Sequence, residues 1–261
     1  MTDWLALVIG NTRWHWAWFD NQALKHVWHT AHISPQTPSD VNIRSLFDEQ
    51  APPQLLTVSL EALEIWTVSV VPTQTRHLEL LTQVRWINHF PLNGVYPTMG
   101  LDRMASLWGA GYTYGWPVLV IDAGTAITLT AGESETFLGG AILLGLQSHF
   151  TALNQYTASL PSVNFPPDLP SLWAHDTVNA IQSGVLNTLL AGVHHFIQSC
   201  LKQYPTTTIL FTGGDGHYLH QLYQQSYQTQ QNQALQSRTW FDENLMFWGI
   251  VAYRNDATRA L

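Results

Sequence analysis

A chain of 261 residues, 46% of them apolar, can bury one large core or two modest ones and is globular rather than disordered. Its 10 Lys and Arg against 18 Asp and Glu give a formal net charge of -8, which argues against nucleic acid as a general partner but leaves room for a phosphorylated ligand in a local pocket. Cys200 is the single cysteine, no apolar run reaches membrane-spanning length, and no basic-then-apolar leader precedes the first strand, so the expectation is a cytoplasmic protein with no disulfide and no membrane partner.

In chain order, Trp4 to Ile9 reads as a strand and Arg13 to Phe19 as a second one after the turn Gly10-Asn11-Thr12. In that second strand Trp14, Trp16 and Trp18 alternate with smaller or polar residues, as in a strand with one covered face, and we read them as packing rather than as a platform for bases. Ser34 to Pro38 is loop. Ser39 to Gln50 has a helical spacing of Val41, Leu46 and Phe47. Ile65 to Pro72 is a strand ended by proline, and Thr73 to Val84 is expected to be helical. Phe90 to Gly100 is rich in turn residues (Pro91, Gly94, Pro97, Gly100), after which Asp102 opens a helix through about Ala110, placed where the helix dipole favours an anion.

After Trp116 the pattern restarts. VLVIDAGTAITL, from Val118, repeats the strand, glycine turn and strand of LALVIGNTRWHW, from Leu5. Thr136 to Leu144 is a third strand. A long helix is expected from Thr177 to about Lys202, with Ile181, Val185, Leu189, Phe196 and Cys200 on one stripe. Gly184 and Gly192 lie inside it at about 1 kcal/mol each relative to Ala, which points to close packing against another helix of this chain or of a partner. Thr207 to Gly216 is a buried strand ending in a glycine loop, and Phe241 to Tyr253 is a final amphipathic helix. The repeated opening predicts a duplicated α/β fold, with halves at residues 1–110 and 111–261 and a ligand cleft between them.

Three turns at strand ends carry glycine beside hydroxyl or amide side chains: GNT (Gly10 to Thr12), AGT (Ala123 to Thr125) and TGGDG (Thr212 to Gly216). Backbone N–H groups in such turns form anion-binding concavities, and glycine lets a phosphate approach. Neither a Walker P-loop nor a Rossmann fingerprint is present. A carboxylate beside a polyphosphate is repelled unless a cation bridges the two, so Asp122 is read as a cation ligand and Thr125 as a phosphate contact. Taken alone, Asp102-Arg103 is also consistent with a dipole-favoured helix start and a surface ion pair, and Thr177 with an N-cap. The 12 histidines show no zinc-binding spacing.

GLDRMASLWGA (Gly100 to Ala110), IDAGTAIT (Ile121 to Thr128), GGAILLG (Gly139 to Gly145), TVNAIQSGV (Thr177 to Val185) and TGGD (Thr212 to Asp215) resemble, in this order, the motifs of type III pantothenate kinase, and VSVVP (Val68 to Pro72) resembles a further strand of that family. The resemblance implies an actin-like ATPase fold of two ribonuclease-H-like halves, with mixed sheets flanked by helices. It implies phosphorylation of pantothenate by ATP, the first step of coenzyme A synthesis, with a divalent cation (Mg²⁺) and a monovalent one (K⁺ or NH₄⁺), in a homodimer whose substrate pocket is shared. By resemblance Asp102 is the general base, Arg103 binds pantothenate with Gly100 and Leu101 completing that wall, Tyr96 is a substrate tyrosine, and Thr177 reaches pantothenate from the other subunit. Asp122 is the monovalent-cation ligand, Thr125 contacts ATP, and the first turn (Val8, Gly10, Asn11, Thr12 and Arg13) is the other ATP-binding segment.

One departure is plain: the family motif D-x-G-N-T is VIGNT here, so Val8 stands where the acid belongs, opposite Asp122 in the internal repeat. A smaller one is Leu144-Gly145 in place of Pro-Gly. The loss at Val8 motivates an alternative, a non-catalytic binding or regulatory protein on the same scaffold.

Overall fold

The structure, a computed structural model, describes residues 3–34, 43–47, 50–57, 63–227 and 237–259. Two apolar runs, each broken by a glycine turn, become the central hairpins of two five-stranded sheets. The first sheet contains β1 (Asp3–Ile9), β2 (Arg13–Asp20), β3 (Ala23–Ala31), β4 (Glu64–Ser69) and β5 (Val84–Trp86), in the order β3-β2-β1-β4-β5. The second contains β6 (Val118–Ala123), β7 (Ala126–Glu133), β8 (Thr136–Leu144), β9 (Thr208–Thr212) and β10 (Thr239–Phe241), in the order β10-β9-β6-β7-β8. In each sheet the first three strands run as an antiparallel meander, and the last two are parallel to the first.

The duplication extends to the register. Val8 pairs with His15 on one side and Val68 on the other, and Asp122 pairs with Thr128 and Thr212. Both residues lie one position before the last pair of their hairpin, so Val8 is the structural counterpart of Asp122.

The helices are α1 (Pro72–Thr75), α2 (Leu101–Tyr114), α3 (Leu146–Tyr156), α4 (Thr177–Gln203), α5 (Gly216–Tyr227) and α6 (Leu245–Arg259). The chain divides into two units, Met1–Tyr112 with Leu245–Leu261, and Thr113–Asn244. The last helix, expected with a second half spanning 111–261, thus groups with the first. The reason is a glycine crossing: a Cβ on Gly249 of α6 would overlap the Ala105 carbonyl of α2, and one on Gly109 would overlap the Leu245 carbonyl. The two helix backbones meet where neither has a side chain.

The first unit's core contains Leu5, Leu7, Ile9, Trp14, Trp16 and Trp28. Trp4 stacks on Phe19 with centroids 4.5 Å apart, and Trp16 on Trp28 at 5.7 Å, so these rings serve packing. The second unit's core joins β6, β7 and β9 to one stripe of α4, with Ile181, Leu186, Leu190 and Ile197 among its buried residues.

Three expectations differ from the structure. Thr73 to Val84 is not a helix: α1 is one turn, followed by turns in which Leu78 N donates to Thr75 O and Leu81 N to Leu78 O. The Gln74 side chain accounts for this. Its Oε1 accepts from Trp14 Nε1 at 3.2 Å and from Ile33 N at 2.9 Å, and its Nε2 donates to Ile33 O, fixing the turn to the sheet in place of a longer helix. Phe241 belongs to β10, and the final helix starts at Leu245. Gly184 and Gly192 do not pack against another helix of this chain, since a Cβ at either meets nothing within 4 Å among the described residues. Within Ser39–Gln50 the described part has a 3-10 turn at Ile43–Leu46; most of the loop expected at Ser34–Pro38 lies outside the described residues.

Candidate functional site

The first cluster forms at the start of α2. Gly100 O accepts from Met104 N at 3.1 Å, closing the first helical turn, and Asp102 Oδ1 accepts from Arg103 N at 2.7 Å. That bond folds the carboxylate back over Gly100, where a Cβ would overlap Oδ1. A side chain at 100 would therefore displace the carboxylate two residues later. Burial raises the Asp102 pKa above the usual carboxylate value, and the Arg103 N–H and guanidinium pull it partway back. A carboxylate poised in this way accepts a proton more readily than an exposed one.

Arg103 is buried, and its Nη1 donates to Tyr96 Oη at 2.8 Å. Tyr96 is 38% exposed, so a phenol and a guanidinium meet at the surface beside the acid. A planar cation and a hydroxyl together suit a carboxylate or amide oxygen. Leu101, half-buried, starts the helix beside them.

At the first glycine turn Gly10 N donates to Arg13 O at 3.1 Å, and His32 Nε2 donates to Gly10 O at 2.8 Å. Asn11, Thr12 and Arg13 are exposed, as a phosphate turn requires. Val8 is 1% exposed and apolar. It offers no donor or acceptor to a metal or a phosphate, so a divalent cation does not fit at this position.

The second unit brings Asp122, Thr125 and the TGGDG turn together. Gly124 N donates to Ala126 O at 3.0 Å, Gly145 N to Thr125 O at 3.1 Å, and Asp215 N to Ala123 O at 2.8 Å. Gly213 adopts φ 88°, and a Cβ there would overlap Asp122 Oδ1. The turn is thus shaped around the carboxylate. Asp215, whose pKa burial raises, lies in the same turn; it is missing from the sequence-derived site although TGGD marks it. No group of three His, Cys, Asp or Glu that could hold a metal occurs among the described residues. What Asp122 offers is one hard oxygen ligand in a backbone-lined niche, which fits a cation sharing its coordination with phosphate oxygens and water.

Thr177 is the first residue of α4 and not its N-cap. Asp176 caps the helix, its Oδ1 accepting from Asn179 N at 3.0 Å. Thr177 is exposed and lines an apolar groove of about 900 Å³ along α4, with Leu144, Tyr156, Ile181, Gly184 and Phe196.

Comparisons with known proteins bear on the family and the fold. Residues 4–199 match the family model described as type III pantothenate kinase. The chain is 38% identical to a type III pantothenate kinase of Nostoc sp. over 95% of this chain and 93% of that protein. It is 36% identical to one from Thermosynechococcus vestitus over 98% and 92%, and 40% identical to one from a Synechococcus strain over 84% and 79%. Among solved structures, a Campylobacter jejuni protein of the Baf family matches with a TM-score of 0.60 at 20% identity over 97% of this chain and 99% of that one. MreB5 of Spiroplasma citri bound to AMPPNP matches with a TM-score of 0.52 at 10% identity over 100% and 98%. At these identities the two structures show the fold alone, the expected actin-like ATPase and sugar kinase fold.

Proposed function

The chain belongs to the type III pantothenate kinase family, and we propose that it transfers the γ-phosphoryl group of ATP to the primary hydroxyl of pantothenate with Asp102 as the base. The single observation that carries the assignment of roles is the Tyr96–Arg103–Asp102 cluster, a half-buried acid beside a guanidinium and a phenol. The hydroxyl oxygen attacks the γ-phosphorus and its proton passes to the Asp102 carboxylate. The bond from the γ-phosphorus to the bridging oxygen breaks, giving ADP and 4′-phosphopantothenate. Such transfers need positioning and charge neutralisation more than covalent chemistry from the protein.

Arg103 and Tyr96 hold the carboxylate or amide end of pantothenate, with Gly100 and Leu101 forming the wall beside them. Thr125 and the first turn (Gly10, Asn11, Thr12 and Arg13) contact ATP. Asp122 is the residue that would hold the monovalent cation, K⁺ or NH₄⁺. A divalent cation, Mg²⁺, travels with the nucleotide and neutralises phosphate charge when bound. Against the non-catalytic alternative, which only Val8 motivates, stand Asp102, Arg103 and the second glycine turn, all retained in this chain, and the enzyme's name that the relatives carry. The protein is read as cytoplasmic, in keeping with its single thiol.

We further propose a homodimer. The groove along α4 is apolar, and Tyr156, Leu144 and Phe196 in its lining are 86%, 53% and 43% exposed. A patch of this kind marks an interaction surface, and a second copy covering it gives Gly184 and Gly192 the packing partner they lack among the described residues. Thr177 on this face then reaches the partner's substrate. Light scattering at micromolar concentration is expected to give twice the chain mass; a monomer contradicts the dimer.

A coupled assay tests the function. ADP release in the presence of Mg²⁺ and K⁺ is expected to depend on pantothenate, and no pantothenate-dependent release up to millimolar ATP contradicts it. Tyr96→Phe removes one hydrogen bond from a charged partner. It is expected to raise KM for pantothenate about tenfold with kcat nearly unchanged, as for an interaction equal in ground and transition states.

A further inference from the structure

In each unit the residue after the third strand holds the glycine turn of the hairpin, and the two units do it by different means. In the second unit β8 ends at Leu144, and the next residue, Gly145, donates its N–H to Thr125 O at 3.1 Å. α3, a helix of 11 residues, starts immediately after and fixes it. In the first unit β3 ends at Ala31, and the next residue, His32, donates from Nε2 to Gly10 O at 2.8 Å. The described residues that follow the strand, 32–34, are in neither helix nor strand. A side chain on an irregular segment keeps its place only if the segment is held by other bonds.

Gln74 of α1 supplies them. It is 6% exposed, and its amide bonds both backbone groups of Ile33: Nε2 donates to Ile33 O at 3.1 Å, and Oε1 accepts from Ile33 N at 2.9 Å. The two bonds stand in for a ladder pair beyond Arg13 and Ala31, where the pairing of β2 with β3 ends. Oε1 also accepts from Trp14 Nε1 at 3.2 Å, and Trp14 follows Arg13, whose carbonyl accepts from Gly10 N. Ile33 N and Trp14 Nε1 only donate and Ile33 O only accepts, so the amide has one orientation. A single buried side chain thus fixes both arms of the Gly10-Asn11-Thr12 turn, β2 directly and the His32 side through Ile33. Burying an amide is costly unless its bonds are made, and these bonds converge on one turn.

We infer that Gln74 is a positioning residue for nucleotide binding: it touches no ligand, and it sets the shape of the turn through Trp14 and through Ile33 and His32. The inference rests on the kinase reading, in which this turn contacts ATP, and adds to it a residue 60 positions from Trp14 in sequence.

Calorimetry of the full chain with the Mg²⁺ complex of AMPPNP and, separately, with pantothenate tests this. Gln74→Met occupies similar space without the three bonds and is expected to weaken nucleotide binding about tenfold, with pantothenate affinity unchanged. His32→Ala removes the contact with Gly10 and is expected to weaken nucleotide binding as well. In the double variant the two effects are expected to multiply incompletely, because they share one route to the turn. Leu78→Ala is the control for stability: Leu78 is buried in the turns after α1, so Tm is expected to fall while nucleotide affinity stays parental. If circular dichroism shows that Gln74→Met does not fold, Gln74→Glu carries the same expectation, since it keeps an acceptor for Trp14 and Ile33 N and loses the amide donor to Ile33 O. Parental nucleotide affinity in the Gln74 variant, equal losses for nucleotide and pantothenate, single effects that multiply in full, or a matching loss in Leu78→Ala each overturn the inference. They leave the kinase reading standing if the parent shows pantothenate-dependent ADP release. A parent chain that neither binds nucleotide nor releases ADP fails the kinase reading and this inference with it.

Discussion

Asp102→Asn is expected to lower kcat by about 10²–10⁴, the contribution of a positioned general base, while the fold and pantothenate binding persist. Asparagine keeps an oxygen that accepts from Arg103 N, the bond that places the side chain over Gly100. It cannot take the proton from the attacking hydroxyl. The effect on stability follows from the direction of the pKa shift. Burial raises Asp102 in the folded chain, so folding favours its neutral form. The associated stability is fully present below the unfolded-state pKa and is lost as pH rises through the folded-state pKa. An amide is neutral throughout, so at neutral pH the variant is expected to unfold at the same temperature as the parent or a higher one. In the parent, the acid limb of kcat/KM lies above the ordinary carboxylate range for the same reason. A variant with near-parental kcat would place the base elsewhere.

Gly249→Ala acts through packing alone. A Cβ at 249 overlaps the Ala105 carbonyl and comes within 2.7 Å of the carbonyl carbon, so it meets backbone, not a side chain that can rotate away. α2 and α6 would have to separate. Overpacking of this kind costs about 1–3 kcal/mol and more where the backbone must move, and here about 3 kcal/mol or more is expected. For a chain of this size that is a fall of about 6–12 °C in Tm, read by calorimetry. Activity is expected to fall as well, because α2 carries Asp102 and Arg103. Gly124→Ala is the control for stability: its Cβ would lie 3.9 Å from Ala126 O, ordinary contact, and Tm is expected to change little. An unchanged Tm in Gly249→Ala would mean that the glycine crossing does not fix α2.

The hairpins were legible because an apolar run interrupted by a glycine turn has few other solutions, and two such runs in one chain suggested duplication. The long α4 was legible from its stripe of Ile181, Val185 and Leu189. β3, by contrast, went unread. ALKHVWHTA alternates weakly, and only Trp28 and Thr30 of its side chains are buried, because it is an edge strand. The stretch after Pro72 has helical composition, yet the hydrogen bonds of Gln74 to Trp14 and Ile33 override it; those partners are distant in sequence. The grouping of α6 with the first unit depends on Gly109 meeting Gly249, a long-range contact that no local pattern records. The Asp102, Arg103 and Tyr96 group was available only through the motif resemblance, since its geometry comes from a loop closing on a helix start.

The most direct test of the central claim identifies the product. The parent chain and Asp102→Asn are incubated side by side with ATP, pantothenate, Mg²⁺ and K⁺, and pantothenate is followed by mass spectrometry and ³¹P NMR. In the parent, pantothenate is expected to gain one phosphoryl group on its primary hydroxyl, with one ADP formed per product molecule, and the Asn variant to form the same product at least about a hundredfold more slowly. Pantothenate recovered unmodified from the parent, whether or not it binds, would contradict the account.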